Sequence, residues 1–383
     1  MTLTPRRLNR ATLARQLLLR REALDVVDAV HRIVAVQAQE PASMYVALWN
    51  RVTDFHPADL DRAFIDRTIV KATVVRITIH AVDGRDYPAF HEAMQPSLRA
   101  SRLHDPRFTV AGVSIDETDA LLPDLLAFAE RPRTGAELEA WLDDRLAPRP
   151  GKPVSWAIRT FAPFHHAPTG GAWSFRQPRL YLAAGEGGEP PRLGDPEASL
   201  VWLARRYLEG FGPASMQDLA QFAMVYRPRA RAALRALVDR GDAVSLQGPD
   251  GAELFDVPDG FLPPEDTPAP PRLLPMWDST LLAHVDRSRI IPPEYRQHVT
   301  RKNGDVLPTL LVDGYVAGVW RPVEAGIEAT AFHPLPDDTW AALVTEARGM
   351  RTFLADREPL IYHGRYAHWW GTLPAAEVRV LGG

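Results

Sequence analysis

Hydrophobic positions near the start of the chain keep a helical rhythm and then break it. Leu24, Val27, Val30, Ile33 and Val34 recur at i, i+3 and i+4, the spacing of one buried helix face. Gln37 and Gln39 follow in the stretch VQAQEP, residues 36–41, where that stripe would continue. Gln37 lies three beyond Val34 and four beyond Ile33, on the same face if the helix persists. Pro41 disfavours helix at Glu40, so the helix is predicted to end or loosen here. If residues 36–39 are already extended, both amides lie on one side of the chain and Ala38 on the other. Either geometry turns at least one amide inward, and a buried primary amide needs hydrogen-bond partners.

Further along, three helix starts look alike: HPADLDRAF from His56, RTGAELEAWL from Arg133 and GPASMQDLAQF from Gly212. They recur at roughly 80 residues, too long for a solenoid repeat and suitable for small tandem domains. Thr134 stands three before Glu137, and Ser215 three before Asp218, the pattern of a capping box. After the first start comes VKATVVRITIHAV, whose alternation of Thr73, Val75, Ile77, Ile79 and Ala81 reads as β structure. After the second come a helical VSWAIRTFAPF and then HHAPTGGAWSFR, where Gly170 and Gly171 signal a hairpin turn. The third predicts a short helix over 216–223, a turn and a longer helix over 227–240. Two strands then flank Pro249, Asp250 and Gly251. Helix, turn, helix and a two-stranded wing describe a winged helix.

The fold class predicted is therefore α+β, with three tandem winged-helix units over 1–125, 126–195 and 196–265. The first carries the Gln-x-Gln motif. Residues 266–383 hold a proline-rich strap and a C-terminal β-rich subdomain, with a hairpin turning at Asp313 and Gly314. The competing reading is an irregular α/β protein with three generic helix starts.

Composition narrows the function less than the pattern does. A chain of 383 residues, 46% hydrophobic and 24% charged, has room for two or three soluble domains. It has no apolar run of about 18 residues and no signal-peptide pattern at its start. The absence of cysteine removes disulfides, thiolate metal sites and Cys nucleophiles, and fits a cytoplasmic protein. A net charge of -4 speaks on its own against a polyanion partner. Yet the only lysines among 44 basic residues are Lys71, Lys152 and Lys302. A GC-rich genome explains that bias, though arginine is also the better residue for phosphate forks and base edges.

No nucleotide-binding glycine loop is present, and AAGEGGEPP, residues 183–191, is a polar loop. His165 and His166 lack metal-site spacing with His31 or His333, and Ser155 and Ser215 lack a nucleophile-elbow context. Trp173, Phe175, Trp369 and Trp370 read as core aromatics, and Arg205 and Arg206 as a solvated helix face. No cofactor and no metal are expected. Gln37 and Gln39 remain. They either cap local backbone groups or act chemically. An amide does not titrate near neutrality, but it orients water, and its carbonyl dipole stabilises positive charge. That suits a reaction whose leaving group departs readily. An N7-alkylated purine is cationic, so breaking its C1′–N9 bond expels a neutral base without a proton donor. The protein then needs to hold the sugar and present water to C1′.

VQAQEP, YVALWNR (residues 45–51), GPASMQDLAQF, LLPMWDSTLLAHVDRSRII (273–291) and PTLLVDGYVAGVWR (308–321) occur in order along the chain. Together they resemble the AlkZ/YcaQ-like bacterial DNA glycosylases of the tandem winged-helix family, over most of the chain. The resemblance implies a C-shaped molecule with a DNA-binding concave face. It also implies monofunctional excision of N7-alkylpurines and unhooking of interstrand crosslinks made by a natural-product alkylator, as self-resistance. Its catalytic motif maps onto Gln37 and Gln39; relatives of the YcaQ type carry Asp at the second position, so Gln39 agrees with the AlkZ type. The partner implied is double-stranded DNA, bound by a cytoplasmic monomer, with Arg51, Arg287, Asp313, Gly314 and Tyr315 as expected DNA contacts. A crosslinked base stays tethered to its opposite strand, which implies a shallow site. A hairpin at Asp313–Tyr315 or at Gly170 and Gly171 would probe a groove, and Lys71 could approach the motif in space. The alternatives are a non-catalytic winged-helix regulator and a scaffold for protein partners.

Overall fold

Asp25 starts the first helix of interest, Val26–Ile33, by accepting hydrogen bonds at 2.9 Å from the backbone N–H groups of Val27 and Asp28. Its buried face is Val26, Ala29, Val30 and Ile33, so the apolar stripe sits slightly off the expected register. Val34 takes φ +73°, which stops the helix, and the chain leaves as the short strand Val36–Gln37. The extended alternative for the motif is the one adopted. This computed structural model describes residues 2–185 and 194–382; most of the glycine loop at 183–191 lies outside the described residues.

One order of elements then occurs three times. Helix Val26–Ile33, strand Val36–Gln37, helices Pro41–Trp49 and Pro57–Ile65, and strands Ile69–Thr73 and Ile79–Asp83 form the first set. The second is helix Ile115–Phe128, strand Arg133–Thr134, helices Gly135–Leu146 and Gly151–Phe161, and strands Phe164–Ala167 and Leu180–Ala183. In the third, helix Pro196–Phe211 leads to a bridge at Ala214, helices Met216–Phe222 and Arg227–Asp239, and strands Val244–Gln247 and Glu253–Asp256. Each time the short first strand or bridge pairs with the last strand of its set. Capping boxes form at Thr134 with Glu137 and at Ser215 with Asp218, as their spacing predicts, and a further one at Ser114 with Glu117.

Four local expectations change. The alternating run over 70–82 is two strands, not one, joined by a turn in which Arg76 and Ile77 both take φ +55°. Positive φ at both central residues is the type I′ hairpin geometry, usually supplied by Asn and Gly, so the sequence carried no turn signal. Gly170 and Gly171 do not make a tight hairpin; residues 168–179 form a longer excursion that buries Trp173. That indole donates to Glu358 Oε2 at 2.5 Å and lies 5.1 Å from the Tyr45 ring. The proline-rich strap contributes Arg272–Leu274 to a sheet. Helix Ile115–Phe128 runs through the boundary expected at residue 125.

The first two sets also share a sheet. Ala72 pairs with His165, so six antiparallel strands cross from one set to the next. A second, five-stranded antiparallel sheet orders Glu377–Leu381, Gly326–Ala331, Tyr315–Val323, Thr309–Val312 and Arg272–Leu274, with helix Asp337–Ala355 against it. The N-terminal helix Pro5–Arg15 ties distant parts together. Arg15 forks onto Asp256 at 2.6 and 2.8 Å, reaching the third set, while Arg10 and Arg6 hold Asp313 of the C-terminal sheet.

Candidate active site

Gln37 faces His80 across the strand pair, and its side chain is buried to 5% exposure, whereas Gln39 is exposed. Both amides lie on one side of the strand, with Gln37 Nε2 donating to Gln39 Oε1 at 2.8 Å. From the hairpin turn, Arg76 Nη2 donates to Gln37 Oε1 and lies 3.0 Å from His80 Nε2. His80 Nδ1 is 3.1 Å from the Thr78 carbonyl, which fixes the proton there and leaves Nε2 as the acceptor. Burial, then the Arg76 charge, holds the His80 pKa well below the usual imidazole range. Burial and the neighbouring Arg287 lower that of Arg76 to about 9, so at neutral pH the arginine is charged and the histidine is not.

Beneath the motif, Gln37 shares a small cavity with Gln16, Ser43, Arg51, Met276, Trp277, Asp278 and Ser279. Ser279 Oγ donates to the Ala35 carbonyl at 2.7 Å, joining the segment at 273–291 to the strand. Glu40 and Asp278, the carboxylates next to the motif in sequence and in this cavity, are both held by arginine. Glu40 Oε2 accepts from Arg365 at 2.5 Å, and Asp278 takes both Nη atoms of Arg51 at 2.8 and 2.9 Å. Burial nevertheless raises the Glu40 pKa, with Arg365 opposing it.

The expected DNA contacts separate on inspection. Arg51 is 1% exposed and both its Nη atoms are engaged, by Asp278, Thr280 and the Ala47 carbonyl, so it supports the floor and is buried away from any phosphate. Asp313 and Gly314 turn onto the N-terminal helix. Gly314 accepts from Asn9 at 2.8 Å, and a Cβ there would meet Asn9, Leu13 and Arg10 at 2.6–2.7 Å. That turn carries an acidic side chain already held by two arginines, and Tyr315 beside it is half-buried. Arg287 differs: among the described residues it has no carboxylate partner, and it lies near Arg76.

Lys71 does approach the motif strand, but from the other face. It pairs with Ala81, which pairs with Val36, and directly paired residues share a sheet face. Its ammonium sits 4.1 Å from the Phe175 ring, and burial and Arg179 lower its pKa to about 7. Arg76 and His80 escaped the sequence reading. The one available signal was an arginine inside an otherwise apolar β run. No group of three or more His, Asp or Glu among the described residues is placed to hold a metal ion.

Residues 30–353 match the model of the AlkZ-like DNA glycosylase family. An interstrand DNA cross-link repair glycosylase of Streptomyces sahachiroi is 24% identical over 193 residues, a match spanning 49% of this chain and 48% of that protein. The alignment thus spans about half the length of that relative. The solved structure of the S. sahachiroi DNA glycosylase AlkZ superposes with a TM-score of 0.76 at 20% identity, covering 94% of this chain and 99% of that one.

Proposed function

Since the chain belongs to the AlkZ-like DNA glycosylase family, we propose that it hydrolyses the N-glycosidic bond of N7-alkylated purines in double-stranded DNA, with Gln37 and Gln39 as the catalytic residues. The three repeated sets are read as tandem winged helices in a C-shaped arrangement around the duplex. The name of the S. sahachiroi relative, an interstrand DNA cross-link repair glycosylase, supports including interstrand crosslinks among the proposed substrates. With a natural-product alkylator as their source, the proposed role is self-resistance.

The observation that carries this reading is the paired amides with no free carboxylate beside them. After their internal bonds, Gln37 retains one N–H and one carbonyl lone pair, and Gln39 retains two N–H groups and one lone pair. These hold a water by its protons and aim its oxygen at C1′. As the C1′–N9 bond breaks, its electron pair leaves with the base and neutralises the N7 cation. The amide carbonyl dipoles face the oxocarbenium character that develops. Water then forms the new C1′–O bond and its proton passes to solvent. Such a site provides no general acid, so it discriminates against ordinary purines, whose departure needs one.

Lys71 stands on the opposite sheet face, so the product is an abasic site formed by hydrolysis and not a Schiff base. The test is base release from duplexes carrying N7-methylguanine, an N7-linked crosslink or only normal bases, with borohydride in parallel. Release from the first two, none from the third and no trapped protein–DNA adduct support the proposal. Tight duplex binding without release contradicts it.

A further inference from the structure

Arg76 is half-buried beside the motif and has no carboxylate partner among the described residues, whereas the buried Arg15, Arg51 and Arg206 face Asp256, Asp278, and Asp86 with Glu209. Its Nη2 is engaged by Gln37 and His80, and its Nη1 is buried without an acceptor. The guanidinium is thus held by neutral groups of the site.

Arg76 also decides how both glutamines point. An arginine has no acceptor, so the Gln37 atom it meets has to be the carbonyl oxygen. That turns the Gln37 N–H groups toward Gln39, whose nearest atom then has to be its own carbonyl oxygen. One guanidinium thus fixes two amide orientations that would otherwise be free to flip. It is itself aimed by the I′ turn and by the neutral Nε2 of His80.

We propose that Arg76 is the positioning residue of the glutamine pair: its guanidinium sets which amide atoms of Gln37 and Gln39 face the lesion. This rests on the reading of Gln37 and Gln39 as the catalytic residues.

The test uses the full chain and an N7-methylguanine duplex, with single-turnover excision at saturating protein and DNA affinity measured in parallel. Arg76→Gln is expected to lower the saturating rate about 100-fold, the size of effect that a misplaced catalytic group produces. Arg76→Lys keeps a cationic donor and should restore most of the rate, which separates positioning from misfolding. A wild-type saturating rate in Arg76→Gln, or no recovery in Arg76→Lys, overturns the proposal. Gln37→Ala assayed alongside distinguishes the failures. If it too excises normally, the catalytic reading falls; if it is inactive while Arg76→Gln is not, only the role of Arg76 falls.

Discussion

At the scale of single residues, the site is built from groups that do not change charge near neutrality. Gln37 and Gln39 do not titrate, and His80 is held neutral by burial and by Arg76. His80 has company: His91, His165, His166 and His284 are also buried, and burial is the main cause of each depressed pKa, with His91 near 4 and His165 and His284 near 3. In the unfolded chain these groups titrate near the usual 6.5. The unfolded state therefore binds more protons below that pH, and stability is present above about 6.5 and lost as pH falls from there toward the folded values. Each histidine contributes up to about 1.4 kcal/mol per pH unit within that window. Urea unfolding is expected to show a lower midpoint at pH 5.5 than at pH 7.5, with the unfolding free energy lower by several kcal/mol in total. An unchanged midpoint would mean that these rings are protonated in the folded protein.

The same scale shows what the sequence conveyed about the site. Gln37 and Gln39 stood out because they interrupt an apolar stripe, and that interruption is a local signal. The expectation for Arg51 failed because burial of an arginine depends on a partner 227 residues away, Asp278. Arg76 stayed hidden because its strand alternation pointed outward, and only the unannounced turn redirects it. Truncating Arg51 to Ala leaves Asp278 as a buried, unpaired charge, so a loss of about 3–5 kcal/mol in urea unfolding is expected. A loss below 1 kcal/mol would show that water reaches Asp278 and that this pair does not support the floor.

Elements read with unequal clarity for physical reasons. Helix starts at Thr134 and Ser215 were legible because a capping box closes within four residues. The third hairpin was legible through Pro249 and Gly251, which supply turn geometry locally. The first hairpin gave no such signal, since Arg76 and Ile77 are held at positive φ by strand pairing on both sides. Gly170 and Gly171 do have positive φ, but burial of Trp173 pulls the chain into a longer path than a two-residue turn. In both places tertiary contacts overrode local propensity.

For the whole molecule, the sheet shared by the first two sets matters more than the units themselves. The ladder from Val36–Gln37 to Arg133–Thr134 passes through Ala72 and His165, and one hydrophobic cluster runs from Val34 through Leu142 to Leu237. The motif strand is thus braced by residues of all three sets, and by Ser279 beneath it. A fragment of residues 1–125 would expose the Ile69–Thr73 edge and end inside helix Ile115–Phe128. Expressed alone, it is expected to lack a cooperative thermal transition by circular dichroism; a sharp transition would show that the first unit folds independently.

The claim on which the rest depends is that the two amides perform the hydrolysis. It is tested most directly by single-turnover release of N7-methylguanine from duplex DNA at saturating protein, comparing the wild-type chain with Gln37→Ala and Gln39→Ala. Both variants are expected to bind the duplex within a few-fold of wild type and to lose about 100-fold or more in rate, as removal of a preorganised polar group does. Release at the wild-type rate by either variant would contradict the account.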